Sequence, residues 1–252
     1  MKQLLTNSTR FLSKEWLQLI LITLLALCLR TVQLQTLPAA LNRDEAALGY
    51  NAWMLQTLGV DEWGERWPLA LRSFGDYKLP GYPILTMFSF NLIGRSDMAV
   101  RLPSALAGSL LPLAVWFLLH QAQFSRRVRL VAAWLLAVAP FSLFYSRIGF
   151  EASVALTLFV VVIGLCIKAQ TVKKQSWQLL LLIATLLLVS IFTYNTPLLL
   201  APFVIIGLGI YGLGRSWRPV VTTTIVLAVP LMVGGLLLWQ LSQQKAGISI
   251  FS

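Results

Sequence analysis

The chain has 252 residues, of which 58% are hydrophobic and only 12% are charged, with a mean hydropathy of +0.77. This composition excludes an ordinary soluble domain and predicts an all-α, polytopic membrane protein. The formal net charge of +11 does not indicate nucleic-acid binding, because the cations fall in short gaps between apolar runs and no nucleic-acid motif accompanies them. Cations in such gaps are a signal of membrane topology.

Seven apolar runs are long enough to cross the membrane, since a helix needs roughly 17 to 25 residues to traverse about 30 Å of hydrocarbon. We predict that residues 1–252 form one transmembrane domain. In chain order the predicted spans are Trp16 to Thr36, Ala99 to Leu119, Val128 to Tyr145, Glu151 to Ile167, Trp177 to Tyr194, Pro197 to Leu213 and Pro219 to Gln240. Another apolar stretch, Leu79 to Gly94, is broken by glycine, proline and polar residues, so we expect it to lie on the membrane surface.

The distribution of charges sets the predicted orientation. With a cytoplasmic N-terminus, the inner loops hold eleven cations and one acid, Glu15. A span at Leu79 to Gly94 would reverse every later loop and move the basic clusters outside, against the positive-inside rule. We therefore expect a multi-pass protein of the plasma membrane, the inner membrane of a bacterium. Eight of the nine acids then lie on the exterior side.

The long exterior loop, residues 37–98, holds most of these acids, and we place the candidate site there. Its stretch "DEAALGYNAWMLQTLG" repeats apolar residues at helical spacing, which predicts an amphipathic helix at the interface with Asn42 as N-cap and Gly59 at its end. Asp44 and Glu45 fall in the first turn. They either complement the helix dipole, a small effect, or belong to a reaction site.

Two other exterior segments each combine an acid with a cation. In "LRSFGDYKLPGYPIL", Asp76 and Lys78 flank a tyrosine within a turn rich in glycine and proline, before a second surface helix. In "YSRIGFEAS", Arg147 and Glu151 stand at the next exterior turn. Each segment taken alone is typical of a solvated loop or an ion pair at the lipid headgroups.

The order of these motifs, together with "RLPSALAG" between them, resembles the N-terminal half of a family of membrane glycosyltransferases that depend on polyprenyl phosphate. This is the GT-C group of glycosyltransferase family 39 type, which includes protein O-mannosyltransferases and the aminoarabinose transferase of lipid A. The resemblance implies Asp44 as catalytic base with Glu45 as its companion. It also implies that Asp76 and Lys78 serve a divalent metal ion and the donor phosphate. Glu151 stands where the family usually has aspartate.

The chemistry of such a transfer fits these residue types. A base must take the acceptor proton, and cations must hold the departing phosphate, for which Lys78, Arg101 and Arg147 are the candidates. Direct displacement of the phosphate would invert the anomeric centre. The acceptor, a lipid, glycan or protein, stays open. Arg30, inside the first predicted span, either snorkels outward or faces the same phosphate.

Other readings remain beside the enzyme. A transporter or lipid flippase would also be helical and basic inside, but the sequence has no internal repeat, and charges within the predicted spans are nearly absent apart from Arg30. A non-catalytic membrane fragment would need none of the exterior acids. Because members of the resembled family continue through further spans, we expect this chain to be the N-terminal part of a longer enzyme.

Overall fold

The protein is a helical bundle with one small β-hairpin, as the computed structural model describes it for residues 2–73, 76–172, 175–212 and 217–244. This confirms the predicted all-α class. The helices are α1 Lys2–Thr31, α2 Arg43–Leu58, α3 Gly81–Ile93, α4 Asp97–Gln121, α5 Arg126–Val138, α6 Pro140–Arg147, α7 Glu151–Thr171, α8 Trp177–Thr193, α9 Thr196–Tyr211 and α10 Trp217–Gln244. The strands are β1 Leu71–Ser73 and β2 Asp76–Lys78.

The predicted count of seven spans is not confirmed. Among the described residues, α4, α7 and α10 are long and apolar enough to cross a membrane, and the pair α5 and α6 makes a fourth candidate if its two helices are one bent span. The helices α8 and α9 have 17 and 16 residues. At about 1.5 Å per residue, each is about 25 Å long, which is short of a hydrocarbon core of about 30 Å.

The core is organised around α4, which packs against α1, α3, α5, α6 and α7. Close approach is possible because small side chains such as Ala26, Ala105 and Ala133 are fully buried there. A second core cluster joins α7, α8, α9 and α10 through buried aliphatic residues that include Val162, Ile183 and Leu227.

The predicted third span is broken, because Pro140 starts a new helix that bends 53° away from α5. Proline has no N–H, so the carbonyl of Leu136 loses its helical donor. The buried guanidinium of Arg30 supplies donors instead, with Nη2 3.2 Å from that carbonyl and Nη1 3.0 Å from the carbonyl of Ala137. Its Nη2 also donates to Ser142 at 2.8 Å. Arg30 therefore has hydrogen-bond partners at the break between α5 and α6, instead of the two roles that the sequence left open.

The predicted caps of α2 are confirmed. Asn42 accepts from the backbone N–H of Glu45 at 2.9 Å, and the Glu45 carboxylate accepts from the N–H of Asn42 at 2.9 Å, so the two form a capping box. Gly59 closes the helix in the left-handed conformation. The buried face differs from a simple apolar stripe. Tyr50 and Leu58 are exposed, whereas Leu48 and Leu55 are buried together with the polar Asn51.

The hairpin fixes the backbone of Lys78 just ahead of α3. Strands β1 and β2 pair antiparallel, with Leu71 opposite Lys78. Leu71 is fully buried, which anchors the backbone at Lys78. Three residues after Lys78, the last residue of the hairpin, α3 begins at Gly81. An added Cβ at Gly81 would lie only 2.7 Å from the backbone oxygen of Phe192. Glycine therefore lets the start of α3 touch the end of α8.

Candidate active site

Three charged side chains that are distant in sequence meet where α2, β2 and α7 adjoin. The ammonium nitrogen of Lys78 lies 3.7 Å from Asp44 Oδ1 and 3.8 Å from Glu151 Oε1. Both distances are those of ion pairs and exceed the length of a hydrogen bond. The Asp44 side chain is 42% exposed, whereas that of Glu151 is 3% exposed. Asp44 is thus the carboxylate of this cluster that an incoming molecule can reach.

Glu45 is held in a different way. Its Oε1 accepts from Arg101 Nε at 2.9 Å and from the backbone N–H of Gly149 at 2.7 Å, and its Oε2 completes the capping box with Asn42. The residue is 1% exposed. Its side chain joins the first turn of α2 to α4 and to the segment that leads into α7. Since Glu151 starts α7, Glu45 fixes the relative positions of the two elements that carry Asp44 and Glu151.

Arg101 and Arg147, which the sequence analysis proposed as phosphate contacts, donate to backbone carbonyls in the last turn of α1 and in the segment after it. Arg101 is fully buried and donates to the carbonyls of Leu34, Pro38 and Ala40 at 2.8 to 3.0 Å. Arg147 donates to three carbonyls in the same region. These contacts favour a positioning role for both arginines over the expected phosphate contact.

Tyr82 lies beneath the charged cluster. It is fully buried, and its hydroxyl donates to the backbone oxygen of Val100 at 2.9 Å. Burial, followed by the nearby Glu151 carboxylate, raises the pKa of the Tyr82 phenol well above its ordinary value of 10.0. The phenol therefore stays protonated and keeps its hydrogen bond. Because it has no exposed surface, Tyr82 cannot stack on a sugar.

An apolar groove of about 320 Å³ starts two residues after Lys78 and runs between α3 and α8. Its lining residues are Pro80, Gly81, Ile84, Leu85, Leu188, Val189, Phe192 and Thr193. A smaller groove of about 190 Å³, beside α7 and α9, begins at Ala152 and so adjoins Glu151. The sequence analysis missed both grooves. Each joins elements distant in the chain, and the nearest local signal was Gly81 in "KLPGY".

Gly149 is a second residue that the sequence reasoning missed. Its N–H comes close to Glu45 because glycine has no side chain. An added Cβ would come within 3.3 Å of Glu45 Cγ and 3.2 Å of Val100 Cγ1. The glycine in "YSRIGFE" carried a signal for this close approach, but the same letters fit an ordinary turn.

The acids that the structure describes do not fit the divalent metal implied by the resemblance. Those described residues contain no group of three or more His, Cys, Asp or Glu side chains suited to hold a metal ion. Between Asp44 and Glu151, the place of a cation is taken by Lys78. Asp76, the predicted metal ligand, pairs with Ser73 through its backbone, and its side chain lies outside the described residues.

The fold is shared with solved structures of an oligosaccharyltransferase and of ArnT. One match is the archaeal oligosaccharyltransferase AglB from Archaeoglobus fulgidus, in complex with an inhibitory peptide and a dolichol-phosphate, with a TM-score of 0.67 at 15% identity over 88% of this chain and 29% of that chain. Another is ArnT from Cupriavidus metallidurans bound to undecaprenyl phosphate, with a TM-score of 0.61 at 15% identity over 95% and 42% of the two chains. A further structure of the Archaeoglobus fulgidus oligosaccharyltransferase, with zinc and sulfate, has a TM-score of 0.68 at 14% identity, over 87% and 31%.

The chain belongs to the family described as dolichyl-phosphate-mannose-protein mannosyltransferase, whose model matches residues 78–239, more than half of the sequence. This confirms the predicted resemblance and favours the enzyme over a transporter or an inert fragment. No curated protein matches the chain. The chain spans less than half the length of the solved structures that share its fold.

Proposed function

We propose that the chain carries the donor site of a membrane glycosyltransferase, which moves a sugar from polyprenyl phosphate to an acceptor on the exterior face of the membrane. The observation that carries the proposal is the exposed Asp44 carboxylate beside Lys78, a lysine that stands two residues before Pro80, the first lining residue of an apolar groove. A lipid-linked donor needs a cation for its phosphate and an apolar path for its isoprenoid chain. Both are present within a few residues of each other.

Asp44 acts as the general base. Its carboxylate takes the proton of the acceptor group while the acceptor atom attacks the anomeric carbon of the donor sugar. The bond between that carbon and the phosphate oxygen breaks, and its electron pair leaves with the phosphate. Attack from the face opposite the phosphate inverts the anomeric centre. Of the two neighbouring acids, Asp44 takes this role because Glu45 is buried and its carboxylate is engaged by Arg101 and Gly149.

Lys78 stabilises the negative charge that grows on the departing phosphate. Its side chain is 19% exposed, which leaves the ammonium accessible from the exterior loop yet shielded from much of the surrounding water. A charge in such a position acts more strongly on phosphate than a solvated one does. The groove between α3 and α8 accepts the first isoprenoid units. No metal ion takes part in this proposal, since the described acids do not form a set of metal ligands.

Replacement of Asp44 by asparagine tests this function. The variant keeps the size of the side chain but cannot take a proton, so transfer from a polyprenyl-phosphate-linked sugar in reconstituted membranes should fall by about 10² to 10⁴-fold. Binding of polyprenyl phosphate should persist. Asp97→Asn is the matched control, because Asp97 stands in the first turn of α4 as Asp44 does in α2. Full activity of Asp44→Asn would exclude the base, and failure of the wild-type chain to bind polyprenyl phosphate would exclude a donor site.

The exterior placement has its own test. In a variant without Cys28 and Cys166, a single cysteine at Glu62 should react with a membrane-impermeant thiol reagent in intact cells. A single cysteine at Arg127 should be shielded, because it lies in the basic loop that we assign to the cytoplasm. The reverse labelling pattern would place the site inside.

A further inference from the structure

Lys78 contacts two carboxylates at once, as a metal ion does in a site built from acids. Its nitrogen is at nearly equal distances, 3.7 and 3.8 Å, from a carboxylate oxygen of Asp44 and one of Glu151. The two acids come from the first turns of different helices, α2 and α7. Carboxylate oxygens that come from different elements and contact one positive charge are also part of the sites in which proteins hold hard divalent cations, there at about 2.3 to 2.6 Å.

We propose that Lys78 is a tethered cation that takes the place of a divalent metal between Asp44 and Glu151. This inference rests on the proposed function, because it names the group that neutralises the acids of that site. The tether is firm: Lys78 ends β2 opposite the fully buried Leu71, and α3 begins three residues later against the end of α8. The side chain is therefore delivered to the two acids from a fixed backbone.

The number of donors on an ammonium group suits this position. It has three N–H donors, so it can direct one toward each of the two carboxylates and the third toward a phosphate oxygen. A divalent ion in the same place would require about six oxygen ligands. The described residues contain no group of three or more such ligands, so an ion held by these two acids would take its other ligands from water and would bind weakly. The lysine thus supplies a positive charge with the ligands that are present.

Two consequences follow for metal binding. The wild-type chain should bind manganese weakly at this site, because the ammonium repels a divalent cation and occupies its place. Removal of the ammonium takes away the cation that contacts both the Asp44 and the Glu151 carboxylate. The Lys78→Ala variant should therefore gain a manganese site that depends on both acids.

The test is titration of Mn²⁺ into the reconstituted chain without any donor, followed by electron paramagnetic resonance of the free ion. Lys78→Ala should bind Mn²⁺ at least about tenfold more tightly than the wild type, since the like charge that contacts both acids is removed. The double variant Lys78→Ala with Glu151→Gln should lose that gain. Lys168→Ala, at the far end of α7, is the matched control and should bind like the wild type.

Two results would overturn the proposal. One is equal Mn²⁺ affinity in the wild type and in Lys78→Ala. The other is a gain that survives Glu151→Gln. Lys78→Gln is measured in parallel with thermal unfolding of each variant, so that a folding defect of the alanine variant does not hide the answer. Because no donor lipid is present, this outcome is independent of polyprenyl-phosphate binding, which tests the proposed function separately.

Discussion

Asp44 and Glu45 are adjacent in the sequence, yet their carboxylates lie in surroundings of opposite kind. The Glu45 cluster, formed with Asn42, Arg101 and Gly149, is buried and held by hydrogen bonds of 2.7 to 2.9 Å. The Asp44 cluster, formed with Lys78 and Glu151, is held by ion pairs of 3.7 and 3.8 Å and is open at Asp44. A carboxylate whose acceptor sites are occupied by good donors is a poor base, whereas a loosely held, accessible one can still take a proton.

The difference assigns separate roles to the two acids. Glu45 joins α2, α4 and the start of α7, and so fixes the frame on which Asp44 and Glu151 stand. Asp44 is left free to meet the acceptor. We infer that the first cluster maintains geometry and that the second performs the reaction.

The largest expected effect on stability comes from Glu45→Ala. It leaves the buried guanidinium of Arg101 without its acid and removes half of the capping box of α2. Breaking a buried pair of this kind costs about 3 to 5 kcal/mol in the free energy of unfolding. Chemical unfolding in detergent measures it, with Asp97→Ala as the control for an acid at a helix start. A loss below about 1 kcal/mol would mean that the Glu45 cluster does not hold the frame.

A smaller effect is expected in the Asp44 cluster from Lys78→Ala. The loss of one charged contact to the donor phosphate should weaken binding of polyprenyl phosphate by about 1.5 to 3 kcal/mol, which is roughly 10- to 150-fold in Kd. Arg72→Ala is the matched control, because Arg72 is a cation on the paired strand that lies over the ring of Trp63. Equal donor affinity in Lys78→Ala and in the wild type would remove Lys78 from the site.

The smallest effect is expected from Asn42→Ala, which removes the side-chain half of the cap from α2. An N-cap of this type contributes about 1 kcal/mol. Because α2 carries both acids, stability and turnover should fall together by a modest amount. Ser96→Ala, which removes the corresponding cap of α4, should lower stability alone. A turnover loss as large as that of Asp44→Asn would show that the two clusters cannot be separated in this way.

Local signals predicted the ends of α2 well, since Asn42 and Gly59 act through contacts within a few residues. The partners of the charged side chains could not be found in this way. Arg101 is 56 residues from Glu45, and its other acceptors are backbone carbonyls, which every residue type provides. The family resemblance assigned roles to Asp44, Lys78 and Glu151, but their mutual contact was not predicted, because no spacing rule connects three residues so distant in the chain.

The span count shows a different limit. The predicted third span runs from Val128 to Tyr145 and passes through Pro140, where the helix is interrupted. Apolar composition reports that a segment can enter lipid, but the missing N–H of proline decides whether the helix continues. The side chain that donates to the carbonyls at this interruption is the buried Arg30, which lies on α1, more than 100 residues earlier in the chain.

The most direct test of the division between the two acids is a measurement of turnover and unfolding on Asp44→Asn and Glu45→Gln side by side. We expect Asp44→Asn to lose about 10² to 10⁴-fold in turnover while its free energy of unfolding stays close to that of the wild type. We expect Glu45→Gln to unfold more easily, since Arg101 loses its charged partner, while the molecules that remain folded keep their turnover. A fully active Asp44→Asn beside a stable but inactive Glu45→Gln would contradict the assignment of the base.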